Sequence, residues 1–87
     1  MLRILLNKDL LVYEENNEMI LINMVKNKFY ALDYMGTVIW KEIVREKNVK
    51  KIIEYICNEF NAEYQEVEDD ILNFIFELKK AGVIKIA

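Results

Sequence analysis

Phe29-Tyr30-Ala31-Leu32-Asp33-Tyr34-Met35-Gly36-Thr37-Val38-Ile39-Trp40 decides the fold of this 87-residue chain. It begins as an aromatic, apolar run with strand character and ends on an Ile-Trp pair at helical spacing. The first N–H groups of a helix have no partner within the helix. Asp33, at the junction, is a residue type whose carboxylate caps them. Gly36 sits one turn further on, where glycine costs about 1 kcal/mol relative to alanine. Its presence there predicts a close approach to the backbone. The stretch marks a change from strand to helix.

Upstream, the chain reads as strands. Leu10-Leu11-Val12-Tyr13-Glu14 is a short apolar run, and Glu15-Asn16-Asn17 is a turn signal. Glu18 to Met24 is a second strand, Lys26-Asn27 a turn, and Lys28 to Leu32 a third strand. Connections this short make antiparallel neighbours, hence a three-stranded meander. Downstream, the apolar period becomes helical. Helices are expected over 34–45, 49–60 and 64–81, with Asn48 capping the second. Val38, Ile39 and Ile43, with Trp40 and Val44 beside them, form the stripe of the first; Val49, Ile52, Ile53, Ile56 and Phe60 are the buried side of the second. Gly82 closes the third helix as a left-handed cap. Val83 to Ile86 either forms a last short strand or packs on the core. Strands followed by helices give an α+β domain of winged helix-turn-helix type.

Composition bounds what such a domain can do. At this length one domain is expected over 1–87, and 54% hydrophobic with 31% charged residues suits a packed core in a charged shell. The N-terminal run from Met1 to Asn7 is too short for a signal sequence, and no run approaches a membrane span. With one cysteine and no sign of secretion, a cytoplasmic location is expected. There is no histidine, which removes the commonest general base and metal ligand. Cys57 lies among apolar residues with no activating base, and reads as packing. Glu66-Glu68 and Asp69-Asp70 do not converge, because adjacent helix residues point about 100° apart. No phosphate loop or nucleophile elbow is present. Trp40 reads as a core anchor.

The third helix carries the clue to function. Tyr64, Val67, Ile71, Phe74, Ile75 and Leu78 form its core stripe. Leu72 and Phe76 stand outside that stripe, one turn apart, among Glu68, Asp69 and Lys79. They are either one wall of a groove or covered by another part of the chain. Glu66, Glu68, Asp69, Asp70 and Glu77 against Lys79 and Lys80 give the helix a net charge that phosphates repel. With a net charge of −3 overall, a winged-helix DNA-binding or transcription-accessory domain is the alternative reading rather than the first.

Ile22-Asn23, the run Tyr30-Ala31-Leu32-Asp33 leading into Gly36 and Ile39-Trp40, the helix from Val49 to Phe60, and Leu78-x-x-Ala81-Gly82-Val83-Ile84 resemble, in order and spacing, the PqqD-like family. The likeness runs from about Leu21 to Ile84; Asp33 stands where the family often has asparagine, and both cap a helix. Members are RiPP recognition elements, which bind the leader of a ribosomally made precursor peptide. The resemblance implies a stand-alone, non-catalytic domain with no cofactor or metal. It implies that the leader adds as a strand beside the third predicted strand, against the third helix, for delivery to a modifying enzyme. That enzyme would be a lasso-peptide leader protease and cyclase, or a radical SAM enzyme. The candidate binding residues are Lys28, Phe29, Tyr30, Ala31 and Leu32 on the strand, and Glu68, Asp69, Leu72, Ile75, Phe76 and Lys79 on the helix. Lys28 and Lys79 would meet leader acids, and Glu68 or Asp69 leader bases.

Overall fold

The computed structural model describes residues 3–86; Met1 and Leu2 of the N-terminal apolar run lie outside them. The strands are β1 (Ile4–Leu6), β2 (Leu10–Glu15), β3 (Glu18–Asn23), β4 (Lys28–Leu32) and β5 (Ile84–Ile86). The helices, between β4 and β5, are α1 (Tyr34–Glu46), α2 (Val49–Phe60) and α3 (Tyr64–Lys80). β2, β3 and β4 form an antiparallel sheet in that order, as the meander requires. A second, two-stranded sheet pairs β1 with β5, Leu5 opposite Lys85. The expected α+β, winged helix-turn-helix-like arrangement is therefore present. β1 is an addition to it, because nothing local in Ile4–Leu6 announces a partner at the other end of the chain.

The register of the main sheet follows from its first turn. Asn16 and Asn17 both adopt positive φ, 55° and 64°, the conformation of a two-residue type I′ hairpin and one that asparagine tolerates. Glu15 opposite Glu18 is then a hydrogen-bonded pair, and pairs two residues on share that state. The bond from Met24 N to Asp9 O, 3.2 Å, continues this parity beyond β2. Met19, Leu21 and Asn23 thus turn their backbone groups toward β4. Their side chains are buried beneath the sheet, with Leu32 beside them. Leu11, Tyr13, Ile20 and Phe29 lie on the opposite, solvent-facing side.

Caps fix where the helices begin and end. Asp33 accepts from Gly36 N at 2.8 Å, and Asn48 from Lys51 N at 3.1 Å; such caps contribute about 1 kcal/mol each. A Cβ on Gly36 would lie 3.2 Å from the Asp33 carboxylate and 3.4 Å from the Leu32 side chain. The close approach that the glycine predicts is thus its own cap and the end of β4. At the end of α3, Val83 N bonds Leu78 O and Gly82 N bonds Lys79 O, both at 3.0 Å, with Gly82 at φ +76°. This is a Schellman closure, and it turns the chain into β5.

The core joins Ile4, Leu21, Ile43, Ile52, Ile71, Ile75, Leu78 and Ile84, with Trp40 buried in it. Cys57 packs against its edge. Val44, Phe60 and Tyr64, expected on buried stripes, are exposed instead. Each sits at the margin of its stripe, where burial depends on a neighbour that the fold does not supply. Thr37 is 2% exposed, and its hydroxyl is, among the described residues, a buried polar atom without a hydrogen-bond partner. Replacing an unsatisfied buried hydroxyl by a methyl removes a desolvation cost. Thr37→Val is therefore expected to raise stability by about 1 kcal/mol, read as a higher urea midpoint at unchanged slope. No helix among the described residues is long and apolar enough to cross a membrane.

Candidate functional site

β4 is the last strand of its sheet, so one of its edges is unpaired among the described residues. The parity set by the hairpin decides which groups that edge presents. Lys28, Tyr30 and Leu32 pair with Asn23, Leu21 and Met19 and direct their N–H and C=O groups to β3. Phe29 and Ala31 direct theirs outward. A chain laid along this edge would find two donors and two acceptors in alternation.

Beside the edge lies a recess of about 370 Å³, open to solvent. Its lining comes from Tyr30, Ala31 and Leu32 of β4, the capping residue Asp33, Met35, Gly36 and Ile39 of α1, and Phe74 of α3. Tyr30 and Phe74 meet edge to face, with ring centroids 6.4 Å apart and planes at 68°, a favourable aromatic geometry. They close one end of the recess and tie α3 to β4. Met35 adds an adaptable apolar surface. The arrangement suits burial of apolar side chains carried by an extended segment. Among the described residues no cluster of acidic or cysteine side chains could hold a metal ion.

The packing of Tyr30 on Phe74 also shows which flank of α3 faces β4, and neither Leu72 nor Phe76 lines the recess there. Leu72 and Phe76 each lie two positions from Phe74, about 160° away around the helix. They face away from β4. At the start of the same ridge the Tyr64 phenol has its pKa pushed up, by partial burial first and then by Glu68, Glu54 and Cys57. Tyr64, Glu68, Leu72, Phe76 and Lys80 follow one another at intervals of four along this ridge. Leu72 is 38% exposed and Phe76 57%, with the Lys80 ammonium 6.0 Å from the Phe76 ring. Glu68 and Asp69 also lie on the side away from β4, and both accept from the Gln65 amide.

The other expected residues divide by direction. Tyr30 and the buried Leu32 line the recess, while Ile75 is buried in the core and is not part of the lining. Ala31 is exposed at the edge. Phe29, 74% exposed, contributes its backbone to the edge, while its side chain stands on the outer face of the sheet. Lys28 opens β4 and is exposed. Lys79 is on another recess, formed with the β1–β2 and β3–β4 loops. Phe74, Met35 and Ile39 are the residues that sequence reasoning missed. Phe74 sits at the margin of the α3 core stripe, and a large aromatic there is the signal that could have singled it out.

The sequence profile of the PqqD family, described as Coenzyme PQQ synthesis protein D (PqqD), matches residues 18–84. The chain belongs to the PqqD family. Among curated proteins, no relative matches this PqqD-family chain. Two solved structures share its fold. One is TbiB1 in complex with the TbiA(beta) leader peptide, at a TM-score of 0.87 and 21% identity, covering 93% of this chain and 94% of that one. The other is lasso peptide synthetase B1 complexed with the leader peptide, at 0.84 and 17% identity, covering 95% and 98%. The family profile begins at the residue that opens β3 and ends at the residue that opens β5, so β1 and β2 lie outside it.

Proposed function

We propose that this chain is a non-catalytic RiPP recognition element that binds the leader region of a ribosomally made precursor peptide. The leader adds to β4 as a fourth strand of the sheet, with alternate side chains entering the recess between β4, α1 and Phe74. The observation that carries this reading is the free β4 edge, with the outward groups of Phe29 and Ala31, lying directly beside an apolar recess. Backbone pairing supplies affinity and the recess supplies selectivity. Family membership and the leader-peptide complexes among the structural neighbours support it. The domain holds the leader so that the remainder of the precursor is concentrated at a modifying enzyme. Because one neighbour is a lasso peptide synthetase component, a leader protease with a cyclase is favoured over a radical SAM enzyme as that partner.

Phe74→Ala against Phe76→Ala tests the placement of the site. The probe is the fluorescently labelled leader of the precursor encoded beside this chain, and the readout is anisotropy. Truncating a central aromatic anchor costs about 1–2 kcal/mol, so Phe74→Ala is expected to weaken binding about tenfold or more. Phe76→Ala leaves affinity unchanged. Phe74→Leu, which keeps apolar volume, separates a weakened recess from an unfolded chain, and circular dichroism monitors both variants. A Phe76 variant that binds worse than the Phe74 variant would move the site to the Leu72 and Phe76 flank of α3.

A further inference from the structure

A larger recess, of about 670 Å³, is elsewhere. It lies where the β1–β2 loop, the β3–β4 loop and the α3–β5 turn meet, and shares no lining residue with the recess beside β4. Lys8, Lys26, Lys79 and Lys85 surround it, with Asp9 as the single carboxylate. The chain carries a net charge of −3, so four ammonium groups around one hollow run against its overall balance. The ion pairs among the described residues use Lys41, Arg45, Lys51 and Lys80; none uses these four. Unpaired like charges repel one another, and a bound anion relieves that cost.

One carbonyl joins all three loops, beside the backbone bonds from Asn7 N to Val83 O and from Met24 N to Asp9 O. Gly82 O accepts from Asn7 Nδ2 at 2.7 Å and from Asn23 Nδ2 at 3.0 Å. Asn7 Oδ1 also accepts from Asp9 N, and Asn23 Oδ1 from Val25 N and Lys26 N. Asn23 is 1% exposed, so the β3–β4 loop is anchored from within. The lysine stems thus start from a rigid rim. Leu5, Val25 and Ile86 add apolar surface to it.

We propose that this recess is a second binding site, for a short acidic segment of peptide. Its carboxylates meet Lys8, Lys26, Lys79 and Lys85, and its apolar side chains meet Val25 and Ile86. Ammonium groups on flexible stems accept carboxylates at variable spacing, and the volume is in the range that holds a short segment rather than a whole domain. A nucleic acid is disfavoured because its length would run over the acidic side chains of α3. The site stands independently of strand addition at β4, since the two use different residues.

The test is a ¹H–¹⁵N titration of the full chain with a blocked hexapeptide alternating glutamate and leucine, beside the same peptide with glutamine. The glutamate peptide is expected to shift residues 7–9, 25–26 and 79–86, and to lose affinity as salt rises from about 50 to about 300 mM. The Lys8→Gln, Lys26→Gln double variant, in exposed side chains that the ion pairs of the described residues do not use, is expected to bind about tenfold less tightly, since it removes two ammonium–carboxylate pairs. Ala31→Pro, which disables the β4 edge, leaves this binding intact. Equal shifts from the glutamine peptide, shifts confined to 28–32, or an unaffected double variant would each overturn the proposal. So would inorganic phosphate or a short DNA duplex that gives the same shifts at lower concentration than the peptide.

Discussion

Ala31→Pro is expected to weaken leader binding by tenfold to a hundredfold while leaving the domain folded. The reason lies in the parity of the ladders. The Asn16-Asn17 turn makes Glu15 and Glu18 a hydrogen-bonded pair, so in the next ladder Met19, Leu21 and Asn23 bond to Leu32, Tyr30 and Lys28. The Ala31 N–H is left on the free edge. Proline there removes a donor that the sheet does not use and places its ring where an added strand would lie. Tyr30, the residue before it, is already extended, as a residue preceding proline must be. An added strand that meets proline forgoes one hydrogen bond and buries an unmatched carbonyl, together about 1.5–3 kcal/mol. The control is Val12→Pro, at the corresponding outward position on β2, the opposite edge of the sheet. It is expected to leave affinity unchanged. Anisotropy with the labelled leader gives the affinities, and thermal melts show whether both variants fold. Equal affinity for Ala31→Pro and the unaltered chain would remove β4 as the docking edge.

Much of this architecture is legible in the order of residues alone. The turns at Asn16-Asn17 and Lys26-Asn27, the caps at Asp33 and Asn48 and the stop at Gly82 are local signals, and local chemistry is what a sequence states most clearly. The free edge of the third predicted strand follows from strand order alone. The helix side of the site does not. A 100° wheel separates the buried stripe of α3 from the rest, but not which neighbour borders each flank. Leu72 and Phe76 do lie off the stripe, yet they stand about 160° around the helix from Phe74, which packs on Tyr30 of β4. Phe74 is counted within the stripe although it sits at its margin, where its ring completes the recess against Tyr30. Likewise Ile4–Leu6 reads as a bare apolar run, because its partner, Ile84–Ile86, lies at the far end of the chain. The basic recess has the same origin: Lys8, Lys26, Lys79 and Lys85 are scattered in sequence and brought together by closure of β1 on β5.

Gly82→Ala is expected to cost more stability than any surface substitution in this protein, about 2–4 kcal/mol, because two separate penalties coincide. The first is conformational. Gly82 has φ +76°, a region that alanine enters only at a cost of roughly 1–2 kcal/mol. The second is steric. An ideal Cβ at Gly82 would lie 2.6 Å from Asn23 Nδ2, with the Lys26 side chain 3.5 Å away. Asn23 cannot simply withdraw. It is buried, donates to Gly82 O, and accepts from Val25 N and Lys26 N to shape the β3–β4 loop. Moving it leaves buried polar groups unpaired at about 1–3 kcal/mol, so the chain divides the strain between a shifted loop and an opened α3 terminus. Urea denaturation gives the stability directly. The same variant separates the two sites described above. It disturbs the rim that holds Lys26 and Lys79, and is expected to weaken the acidic peptide even at temperatures where the domain is fully folded. Asn23 pairs with Lys28 at the start of β4, so the strain reaches that end of the strand, while the Ala31 end is held by the Asp33 cap; leader affinity under the same folded conditions is expected to fall less than affinity for the acidic peptide. A Gly82→Ala chain with unchanged urea midpoint would mean that Asn23 has an alternative position at little cost, and that the three loops are not held by the Gly82 carbonyl.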